Sequence, residues 1–216
     1  MKKLIEIADL MDLIGRSEFD SLALLDALKS YSSPRKKIHD LLKQEFIVQI
    51  KKGIYIFSPK RSVYSPFILA NMIHGPSYIS LESALSRYGL IPERVERFIS
   101  ITLKRNKTFK TPVGYFDYHH MSQTLYPLGV TIEEEGSGAK YLIASPEKTM
   151  MDTILLRLND GEFETTTELM SYLLDGLRID EVELRKIMRS KVLSAFRPYY
   201  YRHRQNRLFI DWILEK

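Results

Sequence analysis

An α+β fold is predicted from three observations. Ser33 to about Gln44 carries apolar residues at helical spacing, with Ile38, Leu41 and Leu42 on one side. Phe46 to Ile50 and Ile54 to Phe57 read as two short strands joined at Lys51-Lys52-Gly53, where Gly53 supplies the positive φ that a tight turn needs. Phe98–Leu103, Gly114–His120, Val130–Glu133 and Tyr141–Ala144 alternate in the manner of strands. A basic helix leading into a basic-tipped hairpin is the pattern of a recognition helix and wing. The expected architecture is an N-terminal winged helix-turn-helix over residues 1–60, followed over 61–216 by a mixed domain with a small, largely antiparallel sheet and several helices.

In chain order, an amphipathic helix is expected from about Lys2 to Ile14, ended by Gly15. Asp20 or Ser21 can cap a second helix that continues through Leu22, Leu25 and Leu28. A turn at Ser30-Tyr31-Ser32 leads to the basic helix, where Ser33 is a good N-cap and Pro34 suits the first helical position. Two short helices with a three- to four-residue turn and a basic second member fit a helix-turn-helix, although the usual turn glycine is absent. Pro59 to Ser65 is the expected domain boundary. Ser65-Pro66 opens a helix to about Ile73, and Ser80 caps another over Leu81–Tyr88, stopped by Gly89. A basic loop, Lys104 to Lys107, separates the first two strands of the sheet. Ser145-Pro146-Glu147 opens a helix to about Leu158 with Met150, Met151, Ile154, Leu155 and Leu158 inside. Helices are expected at about Thr167–Leu174 and Glu181–Arg189, the latter with Asp180 and Glu183 as a capping box. A last one, about Asn206–Glu215, carries Trp212.

The net charge of +5 hides a segregated pattern. Residues 29–61 hold nine Lys/Arg against Asp40 and Glu45, a net +7, and residues 62–110 carry a net +4. Residues 111–184 carry −10, and residues 185–207 hold eight Lys/Arg and no acid. Strong blocks of opposite sign predict basic surfaces that meet a polyanion. The chain has no cysteine, which excludes disulfides and thiolate metal sites and fits a reducing cytosol. No apolar run approaches the roughly 18 residues of a membrane span. Glu6, Asp9 and Asp12 interrupt any signal-peptide core, so a cytoplasmic protein without membrane attachment is expected.

Arg35, Lys36, His39 and Lys43 share the solvent side of the basic helix, and Ser33 stands at its start. Cations near phosphates give duplex affinity by counterion release, and side chains on the exposed helix face discriminate bases in the major groove. Asp40 is awkward beside phosphates but can accept from a cytosine amino group. Lys51 and Lys52 are placed to touch backbone or minor groove, and Lys60 and Arg61 are further DNA-binding candidates. A solvated face on a protein-interaction module is the competing reading. Lys104, Arg105 and Lys107 form a second basic patch, with Arg202, Arg204 and Arg207 in the aromatic–arginine run Phe196–Arg207. That run also reads as tyrosines packing the last helix, with arginines turned outward. His119 and His120 point to opposite faces of a strand and cannot chelate one ion together, so no metal site is expected. Glu133-Glu134-Glu135 reads as a solvated loop edge. Gly136-Ser137-Gly138 reads as a hairpin turn, because it lacks the glycine spacing and Lys-Ser/Thr pair of a phosphate loop. No catalytic set and no cofactor motif is present, and an enzyme is not expected; the basic blocks at 62–110 and 185–207 leave an enzyme acting on nucleic acid or nucleotides as the lesser alternative.

Three stretches together carry a family resemblance: the N-terminal helix and hairpin ending in Lys52-Gly53-Ile54-Tyr55, the segment Tyr78 to Pro92 (YISLESALSRYGLIP), and Ala144 to Asp152 (ASPEKTMMD). The last is similar to a Ser-Pro-Glu-Lys-Ala-Leu-Leu-Asp segment. Over roughly residues 15–160 the chain resembles the AbiEi family, the antitoxins of type IV abortive-infection toxin–antitoxin systems. The resemblance implies a cytoplasmic prokaryotic regulator that binds and represses its own promoter as double-stranded DNA. It also implies a C-terminal domain that counters a nucleotidyltransferase-like toxin without a stable complex. Ser80, Glu82, Tyr88, Glu147, Lys148 and Asp152 match the family's motif and are implied candidates for antitoxin function. Each also has a structural reading, with Ser80 as an N-cap, Glu147 at a positive helix end, and Lys148 and Asp152 as an i, i+4 bridge.

Overall fold

The computed structural model describes residues 7–59, 62–93, 95–136, 138–159, 163 and 165–190. The first part of the chain alternates helices and short strands: α1 (Ile7–Ile14), β1 (Glu18–Asp20), α2 (Ser21–Ala27), α3 (Pro34–Lys43), β2 (Ile47–Lys51) and β3 (Ile54–Phe57). Asp20 caps α2 by accepting from the Leu22 and Ala23 amides. Ser33 stands at the N-cap of α3, but its hydroxyl makes no capping bond. The strands form an antiparallel sheet in the order β1-β3-β2. β3 is its centre and is buried along its length, and its side chains alternate between two cores. Tyr55 and Phe57 join Leu10, Phe19, Leu24, Leu28, Leu41 and Ile47 in a core roofed by α1–α3. In α2 Leu24 is buried, as is Leu28 just beyond its end, whereas Leu22 is 75% exposed.

The other side of β3 carries Ile54 and Ile56. With Ile50 of β2 they pack against Ile68, Leu69 and Ile73 of α4 (Pro66–Ile73) and against Ile79, Phe116, Tyr118, Tyr141 and Ile143 of a second sheet. The sequence boundary near residue 60 therefore divides the chain but not the core. Lys60 and Arg61, at that boundary, lie outside the described residues.

The second sheet has six strands: β4 (Ser77–Ile79), β5 (Arg97–Thr102), β6 (Lys107–Thr111), β7 (Gly114–His120), β8 (Val130–Glu134) and β9 (Lys140–Ala144). Its order is β6-β7-β5-β4-β9-β8. Three pairs are antiparallel, but β5 pairs with β7 and β4 with β9 in parallel. The sheet is thus mixed, not largely antiparallel, and larger than expected. The β6–β7 hairpin folds back so that β7 lies beside β5 and β6 becomes an edge. The three-residue β4 then joins the two hairpin groups. Alternation reveals strands but not their partners.

The face of this sheet away from α4 is covered by α5 (Leu81–Arg87) and α6 (Pro146–Asn159). Beyond them lie α7 (Thr166–Ser171), a π-helical turn (Tyr172–Gly176) and α8 (Glu181–Met188). Met150, Met151, Ile154 and Leu155 are buried, as their spacing predicts, and the side chain of Leu158 lies outside what is described. Asp180 caps α8 by accepting from the Glu183 amide. Trp212, the predicted last helix and the residues before Ile7 lie outside the described residues. Among the described residues, no helix is long and apolar enough to cross a membrane.

Candidate nucleic-acid interface

The packing of α3 fixes which side chains face solvent. Leu41 is buried and Ile38 and Leu42 are half-buried against the first core, so the opposite side points outward. Arg35, Lys36, His39 and Lys43 are all exposed, as is Ser33. Lys37 lies off this face, with Nζ 5.4 Å from the Tyr31 ring centroid. The helix thus presents four cationic or titratable side chains on one side.

The β2–β3 turn closes over the start of α2. Gly53, at φ +85°, accepts from the Ser21 amide at 2.9 Å. Its two lysines part company. Lys52 is exposed. Lys51 is half-buried, and its Nζ donates to the Ile73 carbonyl at 2.8 Å and sits 4.9 Å from the Phe109 ring centroid. Burial lowers the Lys51 ammonium pKa, and nearby Lys107 and Lys104 lower it further. Lys107 Nζ lies 5.0 Å from the same ring. His74 sits against the Phe109 and Tyr118 rings, and its pKa is lowered by burial and by Lys104, Lys51 and Lys107. The structure therefore gathers the turn and the second basic patch into one neighbourhood, a link with no local signal in the sequence. Lys104, Arg105 and Lys107 are exposed there. Arg202, Arg204 and Arg207 lie outside the described residues.

The motif residues form a different kind of site. Lys148 and Asp152 of α6 are both fully buried, with Nζ 2.7 Å from Asp152 Oδ1. Asp152 Oδ2 accepts from the Ser80 hydroxyl at 2.8 Å and the Tyr78 hydroxyl at 3.0 Å, and Lys148 Nζ also donates to the Leu125 carbonyl at 2.9 Å. Burial raises the Asp152 pKa, opposed by Lys148, Ser80 and Tyr78. Burial, with Asp152 alongside, also drives the Tyr78 hydroxyl far above its ordinary value. Gly129, at φ +70°, permits this packing, because a Cβ there would stand 2.9 Å from Lys148 Cβ. Glu82 accepts from Arg157 at 2.9 Å, and the Tyr88 hydroxyl donates to the Ala144 carbonyl at 2.8 Å. Glu147 is half-buried in the first turn of α6. The cluster joins β4, α5, α6 and the 122–128 turn, with Tyr78, Ser80, Lys148 and Asp152 bonded to one another.

Tyr78 was absent from the sequence candidates, and so was the pair Arg97–Asp117. Arg97 Nε and Nη2 meet the two Asp117 oxygens at 2.5 and 2.9 Å, and the Thr108 hydroxyl donates to Oδ1 at 2.6 Å. Nothing local marks the pair, because its partners come from three strands. The acidic run is solvated only in part: Glu134 is exposed on the edge strand β8, and its two neighbours have partners. Glu133 accepts from Arg87 and Tyr141, and Glu135 accepts from the Ser65 hydroxyl at 2.9 Å. Among the described residues, no three His, Cys, Asp or Glu side chains gather as metal ligands would. In comparisons with known proteins, no family model and no curated protein matches the chain.

Proposed function

We propose that the chain is a DNA-binding regulator of its own promoter, with the first 60 residues as a winged helix-turn-helix, α3 as recognition helix and the β2–β3 turn as wing. The observation that carries this reading is the solvent face of α3, where Arg35, Lys36, His39 and Lys43 are all exposed. The order α1-β1-α2-α3-β2-β3, with sheet order β1-β3-β2, supports it, since winged helices share that order. We further propose, on the sequence resemblance alone, a cytoplasmic type IV antitoxin that counters a nucleotidyltransferase-like toxin without a stable complex. In this reading Ser80, Tyr88, Lys148 and Asp152 build the scaffold of the second unit, and exposed surface does the antitoxic work.

A gel-shift titration against duplex from the chain's own upstream region tests the first part. Arg35→Ala or His39→Ala is expected to cost about 1–3 kcal/mol on the preferred sequence and to relax base preference. Equal affinity for scrambled duplex would overturn sequence reading. Co-expression with a neighbouring nucleotidyltransferase-like protein tests the second part: growth is rescued if the antitoxin reading holds, and remains arrested if it fails.

A further inference from the structure

We propose that Lys51 and Glu18 clamp the N-terminal unit onto the two ends of α4, and that Lys51 is a positioning residue for duplex reading rather than a phosphate contact. The second half rests on the DNA-binding reading above; the first does not.

A short helix leaves amides unsatisfied at its start and carbonyls at its end, with partial positive and negative charge respectively. α4 spans eight residues. At its start the Ser65 amide donates to the Glu18 carboxylate of β1. The Ser65 hydroxyl accepts from the Ile68 amide at 3.3 Å and donates to Glu135. At its end the Ile73 carbonyl accepts from Lys51 Nζ. A carboxylate therefore meets the positive end and an ammonium the negative end. Both come from the first sheet, and between them Ile50, Ile54 and Ile56 pack on Ile68, Leu69 and Ile73.

The backbone explains how Lys51 comes to point there. The β2–β3 register shifts between Gln49 and Lys51, a β-bulge. Regular alternation would put Lys51 on the side of Gln49, which is exposed. A bulge re-aims the side chain that follows it, and here it sends Lys51 to the side of Ile50, against α4 and Phe109. Lys52 keeps the turn's outward position. Glu18 is only 3% exposed, and the other charges that face it are Glu135 and Arg16. Burial raises its pKa, so an ionised Glu18 is held at an energetic cost. Apolar residues would hold the two units together at lower cost. Charges at both helix ends add direction, fixing how α3 is presented relative to the second sheet.

The test uses the full chain in two measurements. The chain has no cysteine, so Leu22→Cys and Ile132→Cys, both at exposed positions on different units, take unique spin labels. Without DNA, Lys51→Met and Glu18→Ala are expected to broaden the label-to-label distance distribution, and Lys51→Arg to restore it. In duplex titrations over a salt series, Lys51→Met is expected to lose about tenfold in affinity with its salt slope unchanged, whereas Lys52→Ala lowers the slope by about one. A sharp distance distribution in both Lys51→Met and Glu18→Ala overturns the clamp. A slope lowered in Lys51→Met as in Lys52→Ala overturns the positioning role. If the parent chain binds no duplex while the distances still broaden, the clamp stands and the DNA-binding reading falls.

Discussion

At the residue scale, two carboxylates show how environment decides what an acid does. Asp152 and Lys148 are an i, i+4 pair, and that much was legible from spacing. Their complete burial was not, because the groups that finish the site, Tyr78 and Ser80, lie more than seventy positions away. Breaking a buried pair strands a charge, so Lys148→Met or Asp152→Ala is expected to destabilise the chain by about 3–5 kcal/mol in urea unfolding. The double change to Met and Leu should recover much of that loss. A loss within about 0.5 kcal/mol for either single change would show that the site is not a stability element. Asp117 behaves differently. Burial alone would raise its pKa, but Arg97 and Thr108 hold it below the ordinary 3.8. The ionised form is thus favoured in the folded chain. Its contribution is present above 3.8 and is lost as pH falls through the lower folded value. Asp117→Asn should therefore flatten the acid limb of a denaturation-midpoint-against-pH curve and leave its shape near neutrality unchanged. An acid limb identical in parent and variant would remove the pair from the acid response.

At the element scale, helices were legible wherever an apolar stripe and a capping residue coincide, as in α3, α4, α6 and α8. The strands that escaped are β1 and β4, at three residues each, and β6, whose Lys107–Thr111 run is mostly exposed along an edge. Three residues give period-2 alternation no room to declare itself, and an edge strand carries little apolar signal. The seven residues of α2 offer more than one leucine stripe, and spacing alone does not choose between them. The structure buries Leu24 completely and leaves Leu22 out. Leu24→Ala is expected to cost about 2–5 kcal/mol, and Leu22→Ser less than about 0.5 kcal/mol. Thermal or urea unfolding of the two variants reads the difference directly, and equal losses would mean that α2 is rotated from the face described here.

At the scale of the whole molecule, the two-domain expectation meets a core that ignores the boundary. Period and composition mark where a chain turns polar, as it does from Pro59 to Ser65. They carry no information on whether the faces on either side of that turn meet. Here they do, through Ile50, Ile54 and Ile56. Each is at least nine-tenths buried, and each would give up about 1.5–3 kcal/mol of burial if the second unit were removed. Together that is about 5–9 kcal/mol, against the roughly 3–5 kcal/mol that a single core of this size supplies. The sum decides the outcome: a fragment of residues 1–60 should not hold its fold. We expect it to show poorly dispersed amide resonances and no cooperative melt. The full chain should lose near-ultraviolet and far-ultraviolet circular dichroism in one coincident transition. A fragment that melts cooperatively on its own would mean that the apolar face of β3 is tolerated in water and that the two units are joined only by the clamp at α4. The same arithmetic bears on α3. If α3 reads duplex as proposed, a surface that folds only with the second sheet behind it is presented at an angle set by that sheet, so changes in the shared core, such as Ile56→Val, should weaken duplex affinity and stability together.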